Sequence, residues 1–196
     1  MTTSEDFWDF SVRTYRTTGV PDACLSLQND HGTDVNMLLY CCWVGGFMGR
    51  FENKSFDNAF RFSREWADNV VIRLRSARTW MKHTGCQYES VPTESCMALR
   101  EEIKTAEFAC EKMQQEVLES LVTTGTTRHN AESPKPADIV ANLFRYLTHA
   151  GIEDAEDVRL NLLTIILAAF PTIDPESIKA ALDSGTVDAR PAPDQT

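Results

Sequence analysis

Basic residues are in the minority in this chain: 19 Lys and Arg stand against 29 Asp and Glu, a formal net charge of −10. Phosphate backbones demand a broad cationic surface, so nucleic-acid binding is not expected, although a local basic face stays open. Long hydrophobic runs are also missing. The most apolar stretches, 35–44 and 160–170, fall well short of the ~20 residues that span a bilayer, so no membrane span is expected. The first residues, Met-Thr-Thr-Ser-Glu-Asp, have neither the basic nor the apolar segment of a secretory leader, and the expected location is the cytoplasm.

Other absences narrow the chemistry. The sequence has no G-x-S-x-G, no Walker loop and no G-x-G-x-x-G. Its six cysteines contain no C-x-x-C pair, and Cys41 and Cys42 are neighbours in a helix-like run that disfavours bridging them. Reduced, packed thiols are therefore expected. The four histidines lack ligand spacing; His83-x-x-Cys86 offers two donors with no second pair at zinc-site distance. No metal, no cofactor and no catalytic residue is nominated on this basis.

Also absent is any sustained alternation of period two, which leaves an all-α chain divided by Gly and Pro. A first helix from about Ser4 to Thr17 has Thr3 or Ser4 as cap and a stripe of Trp8, Ser11, Val12 and Tyr15. A second starts at Pro21, shows Val20, Cys24 and Leu27 on one face and stops at Gly32. The third, from Val35 to Val44, is apolar on nearly every side and so must be buried, with Gly45, Gly46 and Gly49 breaking the pattern. In a fourth, Ser55 to His83, Arg61, Arg64, Asp68, Arg75, Arg78 and Lys82 line one side. Phe56, Ala59, Phe62, Trp66, Val70, Leu74, Ala77, Trp80 and Met81 line the other. Arg73 falls on that apolar side. A fifth, Pro92 to about Val122, carries Met97, Ile103, Phe108, Met113, Val117 and Leu121 inside an acidic sequence. Six basic against three acidic residues on the fourth helix face seven acidic against three basic on the fifth, so the two are expected to pair as an antiparallel hairpin. The domain organisation read from this is a bundle of about five helices over residues 1–123, a linker at 124–136, a smaller helical appendage at 137–184 and a disordered tail at 185–196.

The segment Gly32-Thr-Asp-Val-Asn-Met-Leu-Leu-Tyr-Cys-Cys-Trp-Val44 holds the residues of most interest. Thr33 or Asp34 suits a helix N-cap, accepting orphan N–H groups at the positive end of the dipole. Asn36 shares a side with Tyr40, Trp43 and Phe47, which sets an amide against an aromatic strip. That pattern fits either a small aromatic-lined pocket or a buried amide bonded to a neighbouring helix. Arg73 must snorkel, stack on an indole or meet a carboxylate, with Asp34 as one candidate.

Trp8-Asp-Phe-Ser11, Tyr15, Gly19-Val20, Ala23-Cys24-Leu25, Leu27-Gln28, Gly32-x-Asp34-Val35-Asn36-x-Leu38-Leu39 and Trp43 together resemble the signature of an uncharacterised family of small proteobacterial proteins, a domain-of-unknown-function family. Trp66, Val70-Val71 and Leu74-Arg75-x-x-Arg78 are similar to its second block. The resemblance covers about the first 120 residues. It implies a helical cytoplasmic bacterial protein and carries no activity, cofactor or partner.

The functional expectation is a non-catalytic helical protein that binds a partner protein or small ligand through Trp8, Asp34, Asn36, Tyr40, Trp43, Arg73 and Arg75, with homo-oligomerisation left open. The alternative is a helical-bundle enzyme or cofactor carrier with a pocket around Asp34, Asn36 and Arg73. Packing separates them: a reachable cavity favours the pocket, mutual bonding removes it, and an exposed apolar surface favours a partner.

Overall fold

The computed structural model describes residues 5–123 and 134–185. In chain order the helices are α1 (Phe7–Tyr15), α2 (Val20–His31), α3 (Val35–Phe47), α4 (Asn53–Trp66), a π turn (Ala67–Val71), α5 (Ile72–His83), a 3-10 turn (Gly85–Gln87), α6 (Thr93–Thr123), α7 (Pro136–Ala150), α8 (Glu156–Ala169) and α9 (Pro175–Ser184). The described residues contain no strand, and none of their helices is long and apolar enough to cross a membrane.

Local chemistry accounts for most boundaries. Asp6 caps α1 by accepting the Asp9 N–H at 2.7 Å, so the cap lies beyond the expected Thr3 or Ser4. Pro21, Pro136 and Pro175 sit in first turns, where their missing N–H costs nothing. Gly32 ends α2 at φ +70°, a left-handed conformation that glycine adopts without a Cβ clash.

Helix α3 is buried on every side from Asn36 to Gly46. Helix α1 lays Phe7 on Tyr40 and Trp43, with ring centres 5.3 and 5.4 Å apart, and Phe10 on Phe47 and Phe170. Its inner face is thus Phe7, Phe10, Ser11 and Thr14, one residue out of phase with the expected Trp8, Ser11, Val12 and Tyr15. Both stripes satisfy helical spacing; the one with two phenylalanines matches the aromatic surface of α3. Helix α7 runs antiparallel to α3, with Tyr146 at the α3 start and Ile139 beside Gly45 near its end. A Cβ at Gly45 would lie 2.5 Å from the Ile139 Cα, and one at Gly46 would enter the Phe170 ring. These glycines were expected to break α3; instead they continue it and let two helices approach closely. Asn142 of α7 ties down the loop after α3, accepting from the Phe51 N–H and donating to the Gly49 carbonyl, both at 3.0 Å.

The expected division at 124–136 falls mostly outside the described residues, as does the tail beyond Gly185. The helices on either side of it contribute to one buried cluster that includes Phe7, Trp43, Leu118, Leu143 and Ile166.

Two further expectations need correction. The fourth helical segment is not one uninterrupted α-helix: the π turn inserts a residue, which rotates everything after it by about 100°. Arg73, Ala77 and Trp80 therefore turn outward, while Val71, Arg75 and Arg78 turn toward α6. The cysteines are not all reduced. Cys86 and Cys96 are disulfide-bonded with Cα atoms 5.5 Å apart, closing the turn between α5 and α6, a pairing that the search for C-x-x-C spacing could not find. Cys24, Cys41, Cys42 and Cys110 are free.

Replacing Gly45 by Ala tests the close approach. Alanine improves helix propensity by ~1 kcal/mol, yet overpacking against the α7 backbone is expected to cost more and to lower the urea-unfolding free energy by a net of about 1–2 kcal/mol; a variant as stable as the parent contradicts the geometry.

Candidate functional site

The N-terminus of α3 gathers a polar network from four helices. Asp34 Oδ1 accepts from the backbone N–H of Asn36 at 2.9 Å and of Met37 at 3.4 Å, the capping role expected of it. Its second oxygen accepts from Ser63 Oγ on α4 and from Gln114 Nε2 on α6, the latter at 2.6 Å. The Asp34 N–H donates to the Tyr146 hydroxyl on α7 at 2.7 Å. Gln114 Nε2 also reaches Ser63 Oγ at 2.9 Å. Burial pushes the Asp34 carboxyl above its ordinary value, against the opposing pull of the Ser63, Gln114 and backbone hydrogen bonds.

Of the two readings open for Asn36, the structure shows the buried amide bonded to a neighbouring helix, α6. It donates to Gln114 Oε1 at 2.8 Å and to the Glu111 carbonyl, and it accepts from Gln115 Nε2 at 2.7 Å. Asp34, Asn36, Ser63, Gln114 and Gln115 are bonded to one another, and Asn36, Ser63, Gln114 and Gln115 are buried. Buried amides usually find partners within the fold, and those of Asn36 and Gln114 do.

The remaining candidates scatter. Tyr40 and Trp43 lie in the main core; the Trp43 indole N–H donates to the Glu5 carbonyl at 3.0 Å. The Tyr40 hydroxyl is buried without a hydrogen-bond partner among the described residues. Trp8 is half-buried at the surface, edge-on to Phe108 at 5.5 Å with the Lys112 ammonium 5.2 Å over its ring. Arg73 is exposed and meets no part of the network, because the π turn carries it to the outer face. Arg75 takes the inward place instead. Its guanidinium donates to Glu107 at 2.9 Å, Glu111 at 2.6 Å and Gln28 at 2.7 Å, and Arg78 also holds Glu107. Burial favours the neutral form of Glu107, but the hydrogen bonds and charges of Arg78 and Arg75 outweigh it and hold the carboxyl below its ordinary value. Glu111 has only Arg75 to set against burial and a neighbouring Glu107, and its carboxyl is raised. The basic face thus divides: Arg75 and Arg78 pair with α6, as the charge balance suggested, while Arg61, Arg64 and Lys82 remain exposed.

Helix α6 departs from its expected face in part: Ile103, Val117 and Leu121 are half-buried, but the remaining three are not. Met97, Phe108 and Met113, expected inside, are exposed, whereas Glu107, Gln114 and Gln115 are buried. The signal was present as Glu107, Glu111, Gln114 and Leu118 at i, i+4, i+7 and i+11, a mainly polar stripe at the same spacing as any apolar one. Sequence reasoning passed over Ser63, Gln114, Gln115 and Tyr146 because nothing local to them signals an inward amide. His83-x-x-Cys86 is not a metal pair, since Cys86 is bonded to Cys96.

The chemistry open to this centre is small. Most of its donors and acceptors answer one another, with Gln115 Oε1 buried without a partner among the described residues, and the network residues present no reactive pair facing solvent.

A Glu107→Gln variant tests the ion cluster by its pH dependence. A depressed folded-state pKa means stability present above the ordinary Glu value of 4.5 and lost as pH falls through the lower folded value. The wild type is therefore expected to exceed the variant by about 1–2 kcal/mol at neutral pH, with the advantage shrinking in acid; a difference independent of pH contradicts it.

A family model described as a protein of unknown function, DUF2390, matches residues 6–118, from the cap of α1 into α6 as far as Leu118. No curated protein and no solved structure matches the chain. The matched residues include Asp34, Asn36, Ser63, Gln114 and Gln115 of the network, and stop short of Tyr146.

Proposed function

The chain belongs to that family, and we propose that it acts without catalysis, by docking a partner protein on the outer face of the α5–α6 hairpin. One observation carries the reading. Trp80, Tyr88, Leu99, Phe108 and Met113 are each at least half exposed on this hairpin, while α6 buries Glu107, Gln114 and Gln115. The exposed rings stand in pairs, Trp80 with Tyr88 at 6.4 Å and Phe108 with the half-buried Trp8 at 5.5 Å, and aromatics dominate the energetics of interaction surfaces. Trp8 borders Phe108 and extends the surface onto α1. Of the residues first nominated for binding, Trp8 keeps that role; Asp34, Asn36 and Arg75 bond to α6 from behind, Tyr40 and Trp43 belong to the core, and Arg73 is exposed on α5.

A pocket enzyme or cofactor carrier built on Asp34 and Asn36 has no such support, because both side chains are occupied by Ser63, Gln114 and Gln115.

The test is affinity capture from host lysate with the wild type, Phe108→Asp, and Leu25→Asp as a control at an exposed leucine on α2. A partner retained by the wild type and the control, and lost with Phe108→Asp at unchanged thermal stability, is the expected result. Capture indifferent to Phe108, or light scattering that shows only association between copies of the chain, contradicts it.

A further inference from the structure

The Cys86–Cys96 bond has a setting that a purely structural cross-link would not need. It closes the turn between α5 and α6 over a sequence separation of ten, and its residues are only 7% and 8% exposed, at the edge of the hairpin. With Met81, and with Val91 and Ile103 packed on them, the two cysteines form a small cluster separate from the main core. Opening the bond would loosen that cluster and leave the α3-centred core untouched.

Two aromatic side chains depend on the closed turn. The Trp80 indole lies over Gly85, the residue before Cys86: a Cβ there would sit 2.5 Å from the ring. Tyr88, two residues past Cys86, rests 6.4 Å from the Trp80 ring. The turn itself has few backbone bonds, among them Thr84 N–H to Trp80, Gln87 N–H to Thr84 and Val91 N–H to Tyr88. Short segments with few buried contacts open locally at low cost.

The other thiols are poorly placed to compete. Cys24, Cys41 and Cys42 are buried in the main core, where burial raises their pKa values and suppresses the reactive thiolate. Cys110 lies fourteen residues beyond Cys96 on the same helix, ~21 Å along its axis at 1.5 Å per residue.

We propose that Cys86 and Cys96 are a thiol–disulfide switch, worked by a dithiol reductant and reset by a disulfide oxidant, that orders and releases the α5–α6 turn together with Trp80 and Tyr88. In the reducing direction a thiolate of the dithiol attacks one sulfur of the pair and releases the other cysteine as a thiolate. The second thiolate of the reductant then displaces the remaining cysteine from the mixed disulfide. The reductant leaves as a disulfide, two electrons pass to the protein, and Cys86 and Cys96 take up two protons as thiols. The switch stands on the geometry of the turn, whether or not the hairpin docks a partner.

The experiment treats the full-length folded protein with dithiothreitol and follows alkylation by mass spectrometry, limited proteolysis, tryptophan emission and far-UV circular dichroism. Air-oxidised protein is expected to yield four alkylatable thiols once denatured. Under native conditions reduction should add Cys86 and Cys96 alone, raise cleavage between His83 and Pro92 on the order of tenfold, and leave helix content unchanged. The emission change should vanish in Trp80→Phe, and a Cys86→Ser/Cys96→Ser double variant should match the reduced protein with or without reductant. Six reactive thiols in the oxidised protein, reduction only upon global unfolding, or identical proteolysis and emission in both states would overturn the proposal.

Discussion

The Asp34 carboxylate is the point on which the arrangement of the helices depends. One oxygen caps α3, the other is held by Ser63 of α4 and Gln114 of α6, and the Asp34 backbone N–H engages Tyr146 of α7. Four helices thereby take their register from a single residue. The second tier, Asn36 with Gln114 and Gln115, extends this lock along α3 and α6. A buried polar group left without partners costs about 1–3 kcal/mol, so an alternative packing of α6 that turned its Met and Phe side chains inward would strand several such groups at once. The exposed apolar face of α6 follows from that constraint.

This inversion joins the interior to the surface. In most helices of this protein the apolar stripe seeks the core, as Phe56 and Ala59 of α4 or Ile139, Leu143 and Leu147 of α7 do. In the middle of α6 the inward face holds Glu107, Gln114 and Gln115, with Leu118 and Val122 following, because its neighbours present Arg75, Arg78, Asp34 and Asn36. Hydrophobic side chains such as Phe108 and Met113 then have no place but the outside.

How far the fold could be read from the sequence varied with the kind of information each residue carries. The burial of α3 follows from its all-round apolar composition, the Asp34 cap from side-chain chemistry at the start of that run, and the end of α2 from a glycine that can adopt positive φ. The pairing of α5 with α6 was legible as opposite charge on adjacent helices. Helix faces were less legible. In α1 two stripes one residue apart both fit helical spacing, and only the aromatic surface of α3 decides between Phe7 and Trp8. The π turn at Ala67–Val71 leaves no mark in hydrophobic periodicity until after it has shifted the phase, which is why Arg73 and Arg75 exchange places. The polar centre itself was half visible: Asp34 and Asn36 stood out against an apolar background, whereas Ser63, Gln114 and Gln115 sit in polar sequence, and their partners are far away along the chain.

The central claim is that Asp34 and Gln114 form one cooperative unit that sets the face of α6. A double-mutant cycle of Asp34→Ala, Gln114→Ala and the pair, read by urea unfolding, measures it most directly. Shared hydrogen bonds predict a coupling energy of about 1–3 kcal/mol, the double variant losing less stability than the two singles combined. Single losses that add to within about 0.5 kcal/mol would contradict the account, because the two residues would then hold their helices independently.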